Sequence, residues 1–340
     1  MFLADHSFAH LKVNIMKKFL TLALLPLSIL ALSTSALAQA DAAKPPAVIR
    51  LVVPFAAGGS NDVIARVIAP VLAKRLGNTI IVENKPGASG AIGSDAVAKG
   101  AKDGSILLLT SSTLLTAAVT MPKTTPYDVL TAFAPVAMVG QGPMLLAVSG
   151  TTTIKTPAEF IAAAKAKPGS VTYGTSGQGS IAHMSSEMLS DAAKVQMLHV
   201  PYKGASPALL DLASGQINMM ISNYSSLAPQ IKAGRVRALA VTSKKVSPSF
   251  PDLPSMDGVA PGFDAEIWVT VFAPAGTPAA FVQRLNREII EVARLPEVRT
   301  LLDADGALPM PLSPAEVSLR IKDDLAAWKK IATEKNITAE

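Results

Sequence analysis

The sequence predicts an α/β protein of two lobes with mostly parallel sheets, and three observations carry that expectation. Short apolar runs that read as strands alternate with segments of helical periodicity, the pattern of α/β layers. The 340 residues exceed what one core ordinarily serves and suit two domains. Loops rich in glycine and hydroxyls follow strands in both halves. In open parallel sheets such loops lie at the carboxyl ends of strands, where ligands bind, so two sets on two lobes would face each other across a cleft.

The first stretch reads as a targeting segment. Met16-Lys17-Lys18 precede the apolar run Phe19–Leu32, and small residues then lead to Ala36-Leu37-Ala38. That order is a basic n-region, an h-region and an A-x-A cleavage site of a secretory signal peptide. The run is too short to span a membrane with normal margins. Residues 1–15 lack this logic, which makes Met16 a candidate true start. The mature chain is expected to begin near Gln39, after cleavage near Ala38, and to be a soluble exported monomer.

Charge and composition exclude several classes. The formal net charge is +6, and loss of Lys12, Lys17, Lys18 and Asp5 with the signal leaves +4. The remaining cations are scattered, with no basic stripe or interleaved aromatics, so nucleic acid is not an expected partner. The absence of cysteine excludes disulfide staples, thiolate metal sites and a lipid-anchored N-terminal Cys. Of the four histidines only His183 and His199 lie in the mature chain.

The elements follow in order. Ile49–Val53 is a buried strand ended by Pro54, and Gly58-Gly59 frees the backbone for conformations that side chains forbid. Ser60, Asn61 and Asp62 start a helix over Asn61–Leu76, with Val63, Val67, Ile68, Val71 and Leu72 at helical spacing. Unpaired N–H groups and a positive dipole end there make an anion site, for phosphate or carboxylate. Asp62 and Arg66 read as an i,i+4 surface pair. Further strands are expected at Thr79–Val82, Ile106–Leu109, Val136–Met138, Met144–Val148, Val171–Tyr173, Met197–His199, Ile217–Ile221, Ala238–Val241 and Trp268–Phe272. Helices are expected at Pro157–Ala166, Ile181–Ala192, Ala205–Ser214, Ala279–Leu295 and Ala315–Lys335. Pro248–Pro261 reads as an irregular surface excursion.

Three later stretches repeat the opening's logic. "VTYGTSGQGSIAHMSSEML" is a strand, a small-residue loop and a helix start; "LHVPYKGASPALLDLASG" places Lys203-Gly204 at a turn; and "TSST" clusters hydroxyls at Thr110–Thr113. Each also has a bland reading. His183 is either a ligand contact or a helix-start hydrogen bonder, His199 is structural, Lys203 is either a ligand contact or a solvated turn charge, and Trp268 is core or hinge packing.

Other motifs fail. Gly87, Gly90 and Gly93 are spaced G-x-x-G-x-x-G, which suits a turn with close helix packing better than a dinucleotide loop. No Walker A loop occurs. Ser176 has Gly174 before it but Gln178 after it, so no nucleophile elbow forms. With two imidazoles and no H-E-x-x-H, catalytic residues, metal ligands and cofactors are not expected.

Together the stretches "LVVPFAAGGSNDVIAR", "VENKPGASGAIG", "YGTSGQGSIAHMSSEM", "HVPYKGASPALLDLASGQI", "AGRVRALAVTS" and "FAPAGTP" resemble the Bug receptors, the periplasmic substrate-binding components of tripartite tricarboxylate transporters. The resemblance implies a two-lobed type II periplasmic-binding-protein fold. The break at Gln141-Gly142-Pro143 before Met144 and the irregular Pro248–Pro261 stretch before Trp268 lead us to expect lobe one over residues 44–141 plus 266–340 and lobe two over 142–265. It implies a periplasmic protein that hands a small organic carboxylate, often a dicarboxylate or an aromatic or amino acid, to membrane transporter subunits. Backbone N–H groups and water would bind most of that ligand. Phe55, Ala57, Gly58, Gly59, Ser60 and Asn61 match one ligand loop of the family. Thr175, Ser176, Gly177, Gly179 and Ser180 match the opposing loop, with His183 beside it. Ser111 matches a strand-end hydroxyl, Tyr202 and Lys203 a turn on the second lobe, and Ser222 and Asn223 the end of a later strand. There, family members often carry Phe-Asp where this chain has Ile221-Ser222-Asn223, which removes an acidic partner for a ligand amine. An exported sensor and an exported α/β hydrolase or isomerase are the alternatives.

Overall fold

The computed structural model describes residues 45–334 and 336–338, so the expected signal segment and its cleavage position lie outside the described residues. The first sheet is built from β1 (Val48–Val53), α1 (Ser60–Leu76), β2 (Thr79–Asn84), α2 (Ala91–Ala98), β3 (Ile106–Ser111), α3 (Thr113–Thr120), α4 (Val129–Ala132) and β4 (Phe133–Pro143). The chain then enters a second sheet through β5 (Leu145–Ser149), α5 (Pro157–Ala166), β6 (Val171–Thr175), α6 (Ile181–Ala193), β7 (Met197–Pro201), α7 (Ala205–Ser214), β8 (Met219–Ser222), α8 (Tyr224–Lys232) and β9 (Val236–Val241). It returns through β10 (Glu266–Pro274) and ends in α9 (Ala279–Arg294), α10 (Pro296–Ala304) and α11 (Pro314–Glu334).

The two five-stranded sheets have the orders β2-β1-β3-β10-β4 and β7-β6-β8-β5-β9. The fold is therefore two-lobed α/β, with helices packed on each sheet. Strand β3 is buried at every residue, as its Ile-Leu-Leu-Leu run requires of a central strand covered on both faces. Helix α9 buries Phe281, Val282, Leu285, Ile289 and Val292 at helical spacing against the first sheet.

Three expectations are corrected. The sheets are not mostly parallel: β1–β2, β1–β3, β6–β7 and β6–β8 are parallel, whereas β3–β10, β4–β10, β5–β8 and β5–β9 are antiparallel. The reason is the double passage between sheets, since the chain leaves through β4 and comes back beside it in β10. The stretch Pro248–Pro261 is not a mere surface excursion. Its Met256 and Ala260 are fully buried in the second core, and Ser255 bridges to Val241. The third correction, to the Asp62–Arg66 pair, belongs to the site below.

Helix α11 joins both cores. Val317 and Ile321 pack into the cluster around Trp268 and Phe272, while Ala332 near its end packs with residues of the second sheet. Trp268 is core, as expected, and its indole N–H donates to Asp324 Oδ2 of α11 at 2.9 Å. A hollow beside the passage strands is lined by Trp268, Trp328, Ser112, Gln141 and Glu266.

Candidate functional site

Five helices, α1, α3, α6, α7 and α8, begin around one cleft between the sheets. The first-turn N–H groups of a helix have no partner within it, and each start carries the positive dipole end. The cleft is lined by Phe55, Gly59, Ser60, Asn61, Ser111, Thr113, Met144, Ser176, Ile181, Ala182, Ala205, Met220, Ile221, Ser222, Asn223, Ser226 and Ile267. None of these residues carries a formal charge. A negative group held there would meet dipoles and hydroxyls rather than a cation.

The loop before α1 is held from behind. Asp62 Oδ2 accepts the Gly58 N–H at 2.8 Å and Arg66 Nε at 3.0 Å, and its Oδ1 accepts Asn84 Nδ2 at 3.0 Å. Asn84 Nδ2 also donates to the Phe55 carbonyl at 3.1 Å. The Asp62 side chain is only 4% exposed, so the expected surface pair is instead a buried clamp whose outer arm, Arg66, reaches solvent. Burial alone would push the Asp62 carboxyl up. The bonds from Arg66, Gly58 and Asn84 outweigh it and hold the carboxyl below its usual range. Of the two glycines, only Gly58 needs to be one: its φ is +80°, and a Cβ would sit 3.3 Å from Ser206 Oγ. Gly59 has extended backbone and only ordinary contacts for an added Cβ.

The two lobes touch through this machinery. Ser60 N–H donates to Ser226 Oγ at 2.8 Å, Ile181 N–H to Thr113 Oγ1 at 3.1 Å, and Ser206 Oγ to the Ala57 carbonyl at 2.8 Å. Ser89 Oγ donates to the Gln178 carbonyl from the tip of the Gly87–Gly90 turn. Near the passage strands, Asp305 accepts both the N–H and the hydroxyl of Ser225 in the first turn of α8. Burial pushes the Asp305 carboxyl up to about 6 despite those two bonds. Ser60 Oγ is buried with no partner among the described residues.

Of the residues singled out in the sequence, Phe55, Gly59, Ser60, Asn61, Ser111, Ser176, Ser222 and Asn223 line the cleft together. Ala57 and Gly58 stand behind it, engaged by Ser206 and Asp62. Thr175 Oγ1 is fully buried and bonded to His199 Nε2 at 2.7 Å, and Ser180 Oγ caps α6 through the His183 N–H at 3.3 Å. Gly177 and Lys203 line a neighbouring hollow with Tyr202, whose OH donates to Asp211 at 2.6 Å. Gly179 lies against Thr120 and Met121 of the first lobe, and its N–H donates to His183 Nδ1 at 3.1 Å.

His183 takes the helix-start role, with its ring stacked on His199 at 4.0 Å between centroids. His199 in turn stacks on Tyr173 at 5.0 Å. Burial lowers the His183 pKa, with Glu187 opposing, and burial plus the neighbouring His183 lowers His199 to about 3. Neither imidazole lines the cleft.

The sequence reading missed Thr113, Met144, Ile181, Ala182, Ala205, Met220, Ile221, Ser226 and Ile267 in the lining, and Asp62 and Asp305 behind it. The hydroxyls of "SNYSS" and "TSST" were the available signals for Ser226 and Thr113. Met144 and Ile267 sit on or beside the passage strands, which no local pattern distinguishes from core.

The chain matches, over residues 64–337, the family model described as the tripartite tricarboxylate transporter family receptor. Among curated relatives, protein BugT of Bordetella pertussis is 37% identical over 288 residues, covering 84% of this chain and 88% of BugT. The solved periplasmic binding protein BugD is 32% identical with a TM-score of 0.83, covering 87% of this chain and all of BugD. Rpa4515 of R. palustris, solved with adipate, is 33% identical with a TM-score of 0.82, covering 86% of this chain and 98% of Rpa4515.

Proposed function

The chain belongs to the tripartite tricarboxylate transporter receptor family, and on that premise we propose that it captures a small organic carboxylate and delivers it to membrane transporter subunits. One observation supports this most: five helix starts and a set of hydroxyls converge on a cleft whose lining bears no formal charge. That environment replaces the water around a carboxylate with fixed dipoles, and it leaves no cation for salt to screen. The adipate on the related Rpa4515 supports the same class of ligand.

The ligand carboxylate sits between the Ala57–Asn61 loop and Ser176, with Ser111, Ser222 and Asn223 completing the seat. The neighbouring Thr175, Gly177, Gly179, Ser180, His183, Tyr202 and Lys203 shape and support the opposing side. The lobes divide at residues 44–141 plus 266–340 and 142–265, and the ligand favours their approach because its two sides bond different lobes. The mature protein works as a periplasmic monomer after removal of residues 1–38. A receptor rather than a hydrolase fits the packing, since the two imidazoles stack on one another and neither lines the cleft.

A thermal-shift screen over carboxylic acids tests the proposal, because a ligand bound only by the folded form raises the melting temperature by mass action. A saturable shift with an acid, absent with its neutral amide, is the expected result. Equal shifts with acid and amide would overturn the carboxylate reading.

A further inference from the structure

We propose that the hollow beside the passage strands is a second ligand site, one that takes a small organic ammonium. It is independent of the carboxylate reading, and either can fail alone. The hollow and the cleft lie back to back on two shared stretches of chain. Along β10, Ile267 lines the cleft while its neighbours Glu266 and Trp268 line the hollow, as the alternation of side chains on a strand requires. At the start of α3, Ser111 and Thr113 line the cleft while Ser112 lines the hollow. The hollow's residues also meet across the strands. Gln141 pairs with Trp268 in register, and the Ser112 N–H donates to the Trp268 carbonyl at 3.2 Å.

Two buried oxygens there are left over. Gln141 gives its amide N–H to Glu266 Oε2 at 2.6 Å, and its Oε1 is buried with no partner among the described residues. Ser112 is 1% exposed and stands at the start of α3, yet its Oγ caps nothing and is likewise without a partner. Unpaired buried oxygens are costly, and two in one hollow call for donors from outside. The charge has the matching sign. Asp264, Glu266 and Asp324 line the hollow against one guanidinium, Arg320. Arg320 is committed to Asp324 Oδ1 at 2.8 Å, and the Trp268 indole N–H takes Oδ2 at 2.9 Å. Asp264 Oδ1 accepts the Lys244 N–H at 2.9 Å. Glu266, held by Gln141 through one oxygen, has its other to offer. An ammonium supplies three donors and the opposite charge, and the indoles of Trp268 and Trp328 give its carbon chain an apolar wall. A carboxylate, which suits the cleft, would be repelled here.

Calorimetry on the mature protein tests the site with butylammonium, and with butan-1-ol as its neutral match. Butylammonium should bind saturably at one site, and butan-1-ol should not. Glu266→Gln, at an exposed position that folding does not depend on, should weaken butylammonium about tenfold or more. Ser112→Ala should weaken it about threefold without lowering the melting temperature, because the change deletes a buried hydroxyl that has no partner. A Ser112 that served only the fold would leave the affinity for butylammonium where it was. Absence of saturable binding, equal binding of the alcohol, or unchanged affinity in either variant overturns the proposal.

Discussion

Replacing Asp62 by alanine should loosen the loop that carries the seat. The side chain is a buried clamp with three partners, and their losses differ in weight. The Gly58 N–H bond is charge-assisted and part-buried, worth roughly 1.5–3 kcal/mol, and its donor would be left unpaired. The Arg66 pair counts for little, because Arg66 is 53% exposed and solvent takes it over. Asn84 keeps its bond to the Phe55 carbonyl and loses less. The dipole benefit of an acid in the first turn adds about 0.5 kcal/mol. The expected destabilisation is therefore about 3 kcal/mol, a fall of roughly 6 °C in melting temperature for a chain of this size. Asp62→Asn retains an acceptor for Gly58 and should recover more than half. Chemical denaturation and calorimetry on the wild type and both variants measure this. Wild-type stability and ligand affinity in Asp62→Ala would refute the clamp.

Other outcomes follow from the same geometry. Ser176→Ala should weaken ligand binding by about ten- to a hundredfold, read by calorimetry, with an unchanged melting temperature. Gly59→Ala should fold and bind, since a Cβ there meets only ordinary contacts, whereas Gly59→Val should block the ligand; equal affinity in both would move the site elsewhere. The folded protein keeps His183 and His199 neutral while the unfolded chain protonates them below about pH 6.5, so stability should fall as pH drops from there toward 3. His199→Gln removes one such proton and should flatten that slope by up to about 1.4 kcal/mol per pH unit in denaturation at pH 4 to 6. Asp305 has the opposite sign: its carboxyl is raised from 3.8 to about 6, so its contribution is present at low pH and lost as pH rises through 6. Asp305→Asn should therefore gain stability relative to wild type at pH 8 and little at pH 4.5, measured by denaturant titration.

The strands were legible because each is an apolar run bounded by turn residues, and all ten runs lie on or overlap observed strands. Helices with strong apolar spacing, such as α1 and α9, were equally plain. Helix α3 was not, because its start is the hydroxyl cluster Ser111–Thr113, which reads as a strand-end loop until the chain turns. Helix α8 hides behind polar residues at its start and Pro229 in its interior. Half of the lining came from loops whose small residues announce a backbone site. Of the rest, Met144, Ile267 and the β8 residues Met220 and Ile221 have the sequence of any core strand. Their exposure to the cleft depends on how two sheets meet, and no local pattern records that. Asp62 shows the same limit at one residue, since its spacing to Arg66 fits a solvated pair as well as a buried clamp.

The chain contains two tryptophans, and both border the hollow beside the strands that pass between the lobes. Trp268 is carried by β10, one of those strands, and Trp328 by the helix whose ends join different cores. Tryptophan fluorescence, excited selectively over tyrosine, therefore comes from a single place beside the strands that pass between the sheets. A change in how the lobes meet would alter the polarity around both indoles at once. Any closure of the lobes on a ligand would thus be readable optically in dilute solution, without a label or an attached probe.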